Sequence, residues 1–222
     1  ARAVKLKIGG RMSKNADANP GRSEKLIALA RKTYGDDMAL YFDANGSYDV
    51  AHAIKWGRIL EDHGCGFYEE PVPWQDFVGT KAVADGLDIT VAGGEQDSSL
   101  ETWQWFVDND AFGLLQPDVM YNGGLLRALE VARIGAAKNI PCTLHSPKNG
   151  ALAYAMLHFA AVCPSLGPYQ EFRAMGVNED KPYLHASPKV KDGKVSVPTE
   201  PGLGVAYDED WLRSAQVLDL DF

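Results

Sequence analysis

Cysteine is scarce in this sequence: Cys65, Cys142 and Cys163 are its only three, odd in number, far apart and set in apolar surroundings. That excludes a disulfide framework and suits reduced thiols packed in a core. A long apolar run is also lacking, since the longest such stretch, 151–163, is too short to cross a bilayer and carries His158. There is no surplus of positive charge: 22 Lys and Arg stand against 30 Asp and Glu, for a net charge of −8. Nucleic acid and anionic membranes are thereby excluded as main partners, because both demand a basic face. An anionic small molecule is not excluded, because a bound divalent cation can attract it locally. No secretory signal is visible, and a soluble cytoplasmic protein is the expectation.

What is present is ordinary in bulk and ordered in detail. Hydrophobic residues at 45% and charged residues at 23% over 222 positions can build one sizeable core. Three short apolar runs end in an acid: YFDAN delivers Asp43, FYEEP delivers Glu69 and VAGGE delivers Glu95, each 26 residues after the last. Such a period is the length of one strand, one helix and two loops. Read in order, the pattern predicts strands over 3–8, 38–42, 66–68, 89–92, 112–115, 141–144 and 169–170. Between them it predicts helices from Pro20 and Ser23 to Gly35, then over 49–63, 77–87, 100–109, 125–139 (started by Asn122 and two glycines) and 151–162.

Seven strands alternating with helices predict an α/β fold, a TIM-like (β/α)7β barrel; a closed barrel needs eight, so the first strand is expected to lie before Ala1. The opening ARAVKLKIGG, without Met and already strand-like, supports the same expectation of a C-terminal part of a longer polypeptide. Residues 1–175 are the expected barrel, and 176–222 an expected tail that packs against it, with a hairpin over 189–198 turning at Asp192-Gly193.

The acids then share the C-terminal rim of the strands, where barrels do their chemistry. Asp43, Glu69 and Glu95 are hard oxygen donors without a Cys or His among them, a set that fits octahedral Mg²⁺ with positions open for substrate. The phase continues through Asp118, His145 and Glu171 at intervals of 23, 27 and 26 residues. Asp118 beside His145 makes a base with an orienting carboxylate. Lys5 and Lys7 share one face of the first strand, and their repulsion is expected to lower the pKa of one of them. Taken singly, each has a plainer reading as a helix cap, a turn residue or edge protection. Their common phase is what favours a site. His52, His63, His158 and His185 fall out of phase and read as structural. A cation flanked by two bases suits removal of the proton beside a carboxylate, which is too weakly acidic unless the resulting enolate is stabilised.

As a set, KLKIG, DAN, EEP, GGE, QPD, the Leu144-His145 pair and the PGLG tail resemble the enolase superfamily, and within it the mandelate racemase subgroup, over nearly the whole chain. The resemblance implies Mg²⁺ on Asp43, Glu69 and Glu95, with Glu70 a non-ligand neighbour. It implies Lys7 and His145 as an acid/base pair on opposite faces, Asp118 as the partner of His145, and Lys5 near the substrate carboxylate. Asn45 and Glu171 would contact substrate hydroxyl and carboxylate. An N-terminal α+β capping domain is also implied, absent from this chain along with the first strand. Relatives with this Lys and His–Asp combination include racemases but are mostly dehydratases of sugar acids, forming 2-keto-3-deoxy acids. The polar rim residues Asn15, Asn19, Gln96, Asp97, Tyr121, Asn122, Lys148 and Asn149 suit a polyhydroxylated acid. A sugar-acid dehydratase is the expectation; a two-base racemase or epimerase, and a non-catalytic metal-binding barrel or inactive fragment, stay open. Trp-bearing helices over 49–63 and 100–109 suggest a shared face and hence a homo-oligomer.

Overall fold

The computed structural model describes residues 1–146, 150–172 and 190–215. The chain divides into two compact units, Ala1–His145 with Cys163–Glu171, and Ser146–Val162 with Phe172–Phe222.

In the first unit strands and helices alternate: β1 (Ala3–Lys7), α1 (Arg22–Tyr34), β2 (Ala39–Asp43), α2 (Val50–Asp62), β3 (Phe67–Glu69), α3 (Phe77–Asp85), β4 (Thr90–Gly93), α4 (Leu100–Asp108), β5 (Leu114–Leu115) and α5 (Leu125–Ala136). The strands form one parallel sheet in the order β1-β2-β3-β4-β5. Single parallel bridges, Leu115 to Cys142 and Cys142 to Leu166, carry the arrangement two steps further. The last step corrects the expected strand at 169–170. Pairing occurs at Leu166, because Pro168 has no N–H for a ladder and leaves Tyr169 and Gln170 irregular.

Side chains alternate across the sheet, and both faces are covered. Leu40, Phe42, Tyr68, Val91 and Leu115 are buried on one face. On the other, Tyr41 stacks on Phe67 with ring centroids 3.8 Å apart, and Phe67 packs with Ala92 and Leu114. Register keeps the strand ends level: Lys7 lies opposite Asp43, and Asp43 opposite Glu69. That level edge positions the site.

Asp49, Asp76 and Ser99 cap α2, α3 and α4 by accepting from the N–H groups of His52, Gly79 and Thr102. At two expected helix starts the capping residue differs. Gly21 and Gly124 precede α1 and α5, whereas Ser23 turns inward to accept from Gly9 N and donate to Asp17, and Asn122 accepts from the Trp103 indole. Both polar side chains tie loops together instead of capping.

The second unit contains α6 (Ala151–Val162), with Tyr154, Met156, Leu157 and Phe159 among its buried residues, and the unforeseen α7 (Glu209–Ser214), capped by Asp208. The expected hairpin is present as a Lys191–Lys194 bridge with Asp192 and Gly193 at positive φ. His158 meets Leu203 O at 3.2 Å, and His185 lies outside the described residues. No described helix is long and apolar enough to cross a membrane.

Candidate active site

The three expected acids converge. Asp43 ends β2, Glu69 ends β3 and Glu95 follows β4 by two residues, and one carboxylate oxygen from each lies within 4.8 Å of the others. Lys5 Nζ sits 2.7 Å from both Glu69 oxygens and 3.1 Å from Glu171 Oε1. Lys7 Nζ lies 2.9 Å from Asp43 Oδ2 and also contacts Asn45 Oδ1. His145 places Nδ1 2.8 Å from Asp118 Oδ2 and Nε2 3.2 Å from Glu95 Oε2. Lys5, Lys7, Asp43, Asn45, Glu69, Glu95, Asp118, His145 and Glu171 thus fall in one connected set.

Burial drives the electrostatics. It pushes the Glu69 carboxyl up to about 7, aided by Asp43 and opposed by Lys5. It raises Glu95 as well, against the pull of His145. For Lys5 burial acts downward, but Glu69, Glu171 and Asp43 outweigh it and hold the amine above its ordinary range. The lowering expected from Lys5–Lys7 repulsion is therefore corrected for Lys5: its neighbours are carboxylates at salt-bridge distance, not the other lysine. His145 also rises, because the Asp118 bond and the Glu95 and Glu171 charges overcome desolvation. With Nδ1 turned to Asp118, Nε2 is the nitrogen that faces the acids. Crowded, buried carboxylates with no thiol or imidazole in the triad fit a hard divalent cation such as Mg²⁺.

Glu70 stands apart. It is a non-glycine residue with φ of 39°, 4% exposed, and neither carboxylate oxygen has a well-formed hydrogen bond. Burial and the Glu95, Asp43 and Glu69 charges push it up to about 8, eased by the nearby Asn45 amide. The backbone around it is held by Glu70 N to Ala92 O at 2.9 Å and Gly46 N to Glu70 O at 2.7 Å. Gln116, which sequence reasoning passed over, donates to Glu69 Oε2 at 2.8 Å from a buried position. Its signal was there: it lies two residues before Asp118, in the QPD stretch.

A cleft of about 430 Å³ opens beside Glu95 and His145, lined also by Trp74, Gln96, Ser98 and Tyr121. Of the expected polar rim, Gln96 and Tyr121 reach this cleft. Asn15 is committed to Asp49 and His52, Asp97 and Asn122 are buried, and Lys148 and Asn149 lie outside the described residues. Trp74 and Ser98 were not foreseen. Of the out-of-phase histidines, His52 meets Asp49 and His63 meets Ile59 O.

The sequence profile of the Enolase C-terminal domain-like family matches residues 1–211. The chain belongs to that family. Arabinonate dehydratase of Saccharolobus solfataricus is 29% identical over 206 residues, covering 91% of this chain and 52% of that protein. A crystal structure of a mandelate racemase/muconate lactonizing protein from Paracoccus denitrificans matches with a TM-score of 0.87 at 29% identity, covering 96% of this chain and 57% of that one. An enolase from Bradyrhizobium, solved with magnesium and mandelic acid, gives 0.79 at 28% identity over 98% and 55%. The chain spans about half the length of the curated relatives it matches. The family's TIM-barrel-like fold agrees with the parallel β/α succession seen here, and its members similar to this chain include sugar-acid dehydratases, cycloisomerases and racemases.

Proposed function

We propose that the protein is a Mg²⁺-dependent lyase that removes the proton α to the carboxylate of a sugar acid and expels the neighbouring hydroxyl as water. The observation that carries this is that two groups able to move a proton meet different members of the carboxylate triad, Lys7 Nζ 2.9 Å from Asp43 and His145 Nε2 3.2 Å from Glu95. Asp43, Glu69 and Glu95 would hold the cation. Bound there, it supplies electrophilic stabilisation to a carboxylate losing its α-proton.

His145 Nε2 takes the C2 proton, while Asp118 keeps the other nitrogen as N–H and stabilises the imidazolium. Lys7 gives a proton to the departing C3 hydroxyl, which leaves as water. Tautomerisation of the remaining enol yields a 2-keto-3-deoxy acid. Lys5, braced by Glu171, grips the substrate carboxylate end, and Asn45 a hydroxyl. The cleft's volume and its Gln96, Ser98 and Tyr121 side chains suit a small polyhydroxylated acid. A second reading, racemisation or epimerisation, uses the same two groups without hydroxyl loss, and their contacts with different members of the triad support it too.

Proton NMR in D₂O with aldonic and aldaric acids plus Mg²⁺ tests both. Loss of the C2 proton signal with new 2-keto-3-deoxy signals, stopped by EDTA, is the expected result. Exchange without product would favour the racemase. Silence with every acid, in protein that binds metal, would refute the sugar-acid reading and leave another substrate class or a non-catalytic metal-binding barrel.

A further inference from the structure

The loops carrying the two halves of the site are tied together by one side chain. Arg127, in the first turn of α5, donates from Nε to Asn122 O at 2.9 Å and from a terminal nitrogen to Ser98 O at 2.7 Å. Ser98 lies three residues after Glu95 in the β4–α4 loop. Asn122 lies four residues after Asp118 in the β5–α5 loop and closes a turn on it, Asn122 N to Asp118 O at 2.8 Å.

The crossing depends on a bare backbone at Gly123, where φ is 84° and an added Cβ would lie 2.7 Å from Arg127 Cδ. A second strut runs alongside. The Trp103 indole donates to Asn122 Oδ1 at 3.2 Å, and its ring lies so close to Gly94 that a Cβ there would be 2.0 Å from it.

We propose that Arg127 is a positioning residue, which sets the separation between Glu95 and the Asp118–His145 pair by holding both rim loops on one rigid guanidinium. Two donors in a fixed plane define a spacing between two carbonyls more rigidly than the rotating ammonium of lysine, whose donors share one nitrogen. The 3.2 Å approach of His145 Nε2 to Glu95 Oε2 is the distance this spacing controls. The chemistry rests on the reading given under Proposed function; the clamp itself rests on geometry.

Arg127→Ala and Arg127→Lys test it, with Arg133→Ala, an exposed position on the same helix, as control. Amide hydrogen exchange of the loops 94–99 and 116–124 is read first, then the Kd for Mn²⁺ by electron paramagnetic resonance, then kcat and KM. In Arg127→Ala both loops should exchange about tenfold faster while α2 and α3 keep their rates. The Mn²⁺ Kd should rise about tenfold, the usual scale for residues that orient ligands, with kcat falling more than KM changes. Arg127→Lys should lie between, and Arg133→Ala should match the parent.

Parental loop exchange in folded Arg127→Ala, or loosening of only one loop, overturns the clamp. If that variant does not fold, Arg127→Lys decides by the same criterion. A parent that binds no Mn²⁺ defeats the magnesium reading, and loop exchange then still decides the clamp.

Discussion

The two ends of the same parallel strands are built on opposite principles. At the mouth, Asp43, Glu69, Glu95, Lys5, Lys7, Asp118 and His145 crowd together, and Glu70 is held buried in a strained backbone with no well-formed bond to its carboxylate. Two to four residues back along the strands, Tyr41, Phe67, Ala92 and Leu114 form an apolar layer, and Cys142, three residues before His145, faces the thiol of Cys163. One layer stores electrostatic repulsion that a cation can relieve, and the other supplies the hydrophobic burial that keeps it in place. Sites and cores can share a strand because alternation and register fix which residues look inward, whatever their chemistry.

The comparison is broken most strongly at the mouth. His145→Asn is expected to slow C2-proton exchange by about 10²–10⁴-fold, the usual contribution of a positioned base, with melting temperature nearly unchanged; NMR exchange and thermal denaturation check the pair. Phe67→Ala, one layer down, should do the reverse. Truncating that buried ring is expected to lower unfolding free energy by about 3–5 kcal/mol, measured by urea denaturation.

Glu69→Gln sharpens the contrast by altering the mouth without emptying the core. It should reduce turnover by about 10²–10³-fold and weaken Mg²⁺ binding by calorimetry, while circular dichroism stays parental. Metal linkage is smaller again. Mg²⁺ at tenfold its Kd should stabilise the parent by only about 1.4 kcal/mol, read from the melting shift, and Glu69→Gln should lose that increment. A much larger increment would favour a structural metal.

The smallest effect belongs to the far end. A hydrogen bond from Cys142 lowers the Cys163 thiol to about 7, whereas burial pushes Cys65 up to about 11. The thiolate is the reactive form, so alkylation of Cys163 should accelerate as pH rises through about 7, while Cys65 stays slow until far higher pH. Mass spectrometry of iodoacetamide-treated protein separates the two sites.

The sequence by itself determined the succession of strands and helices, the level of the acids along it and the identity of the candidate site. These follow from local rules: apolar periodicity, a repeat length set by one β/α unit, and an acid at one phase of each repeat. Departures arose where local signals met tertiary demands. Ser23 and Asn122 carry the marks of helix caps yet serve as loop ties, because Gly9 and Trp103, distant in sequence, come within hydrogen-bond reach.

The last strand shrinks to Leu166 because Pro168 cannot pair, a constraint visible in the sequence but decided by which neighbour is present. Only the tertiary structure brought Gln116 onto Glu69, surrounded Lys5 with carboxylates and spanned two loops with Arg127. The reason is physical: hydrogen bonds and charge interactions depend on distances of a few ångströms between residues tens of positions apart. Periodicity fixes which side of a strand a residue occupies, but not those distances.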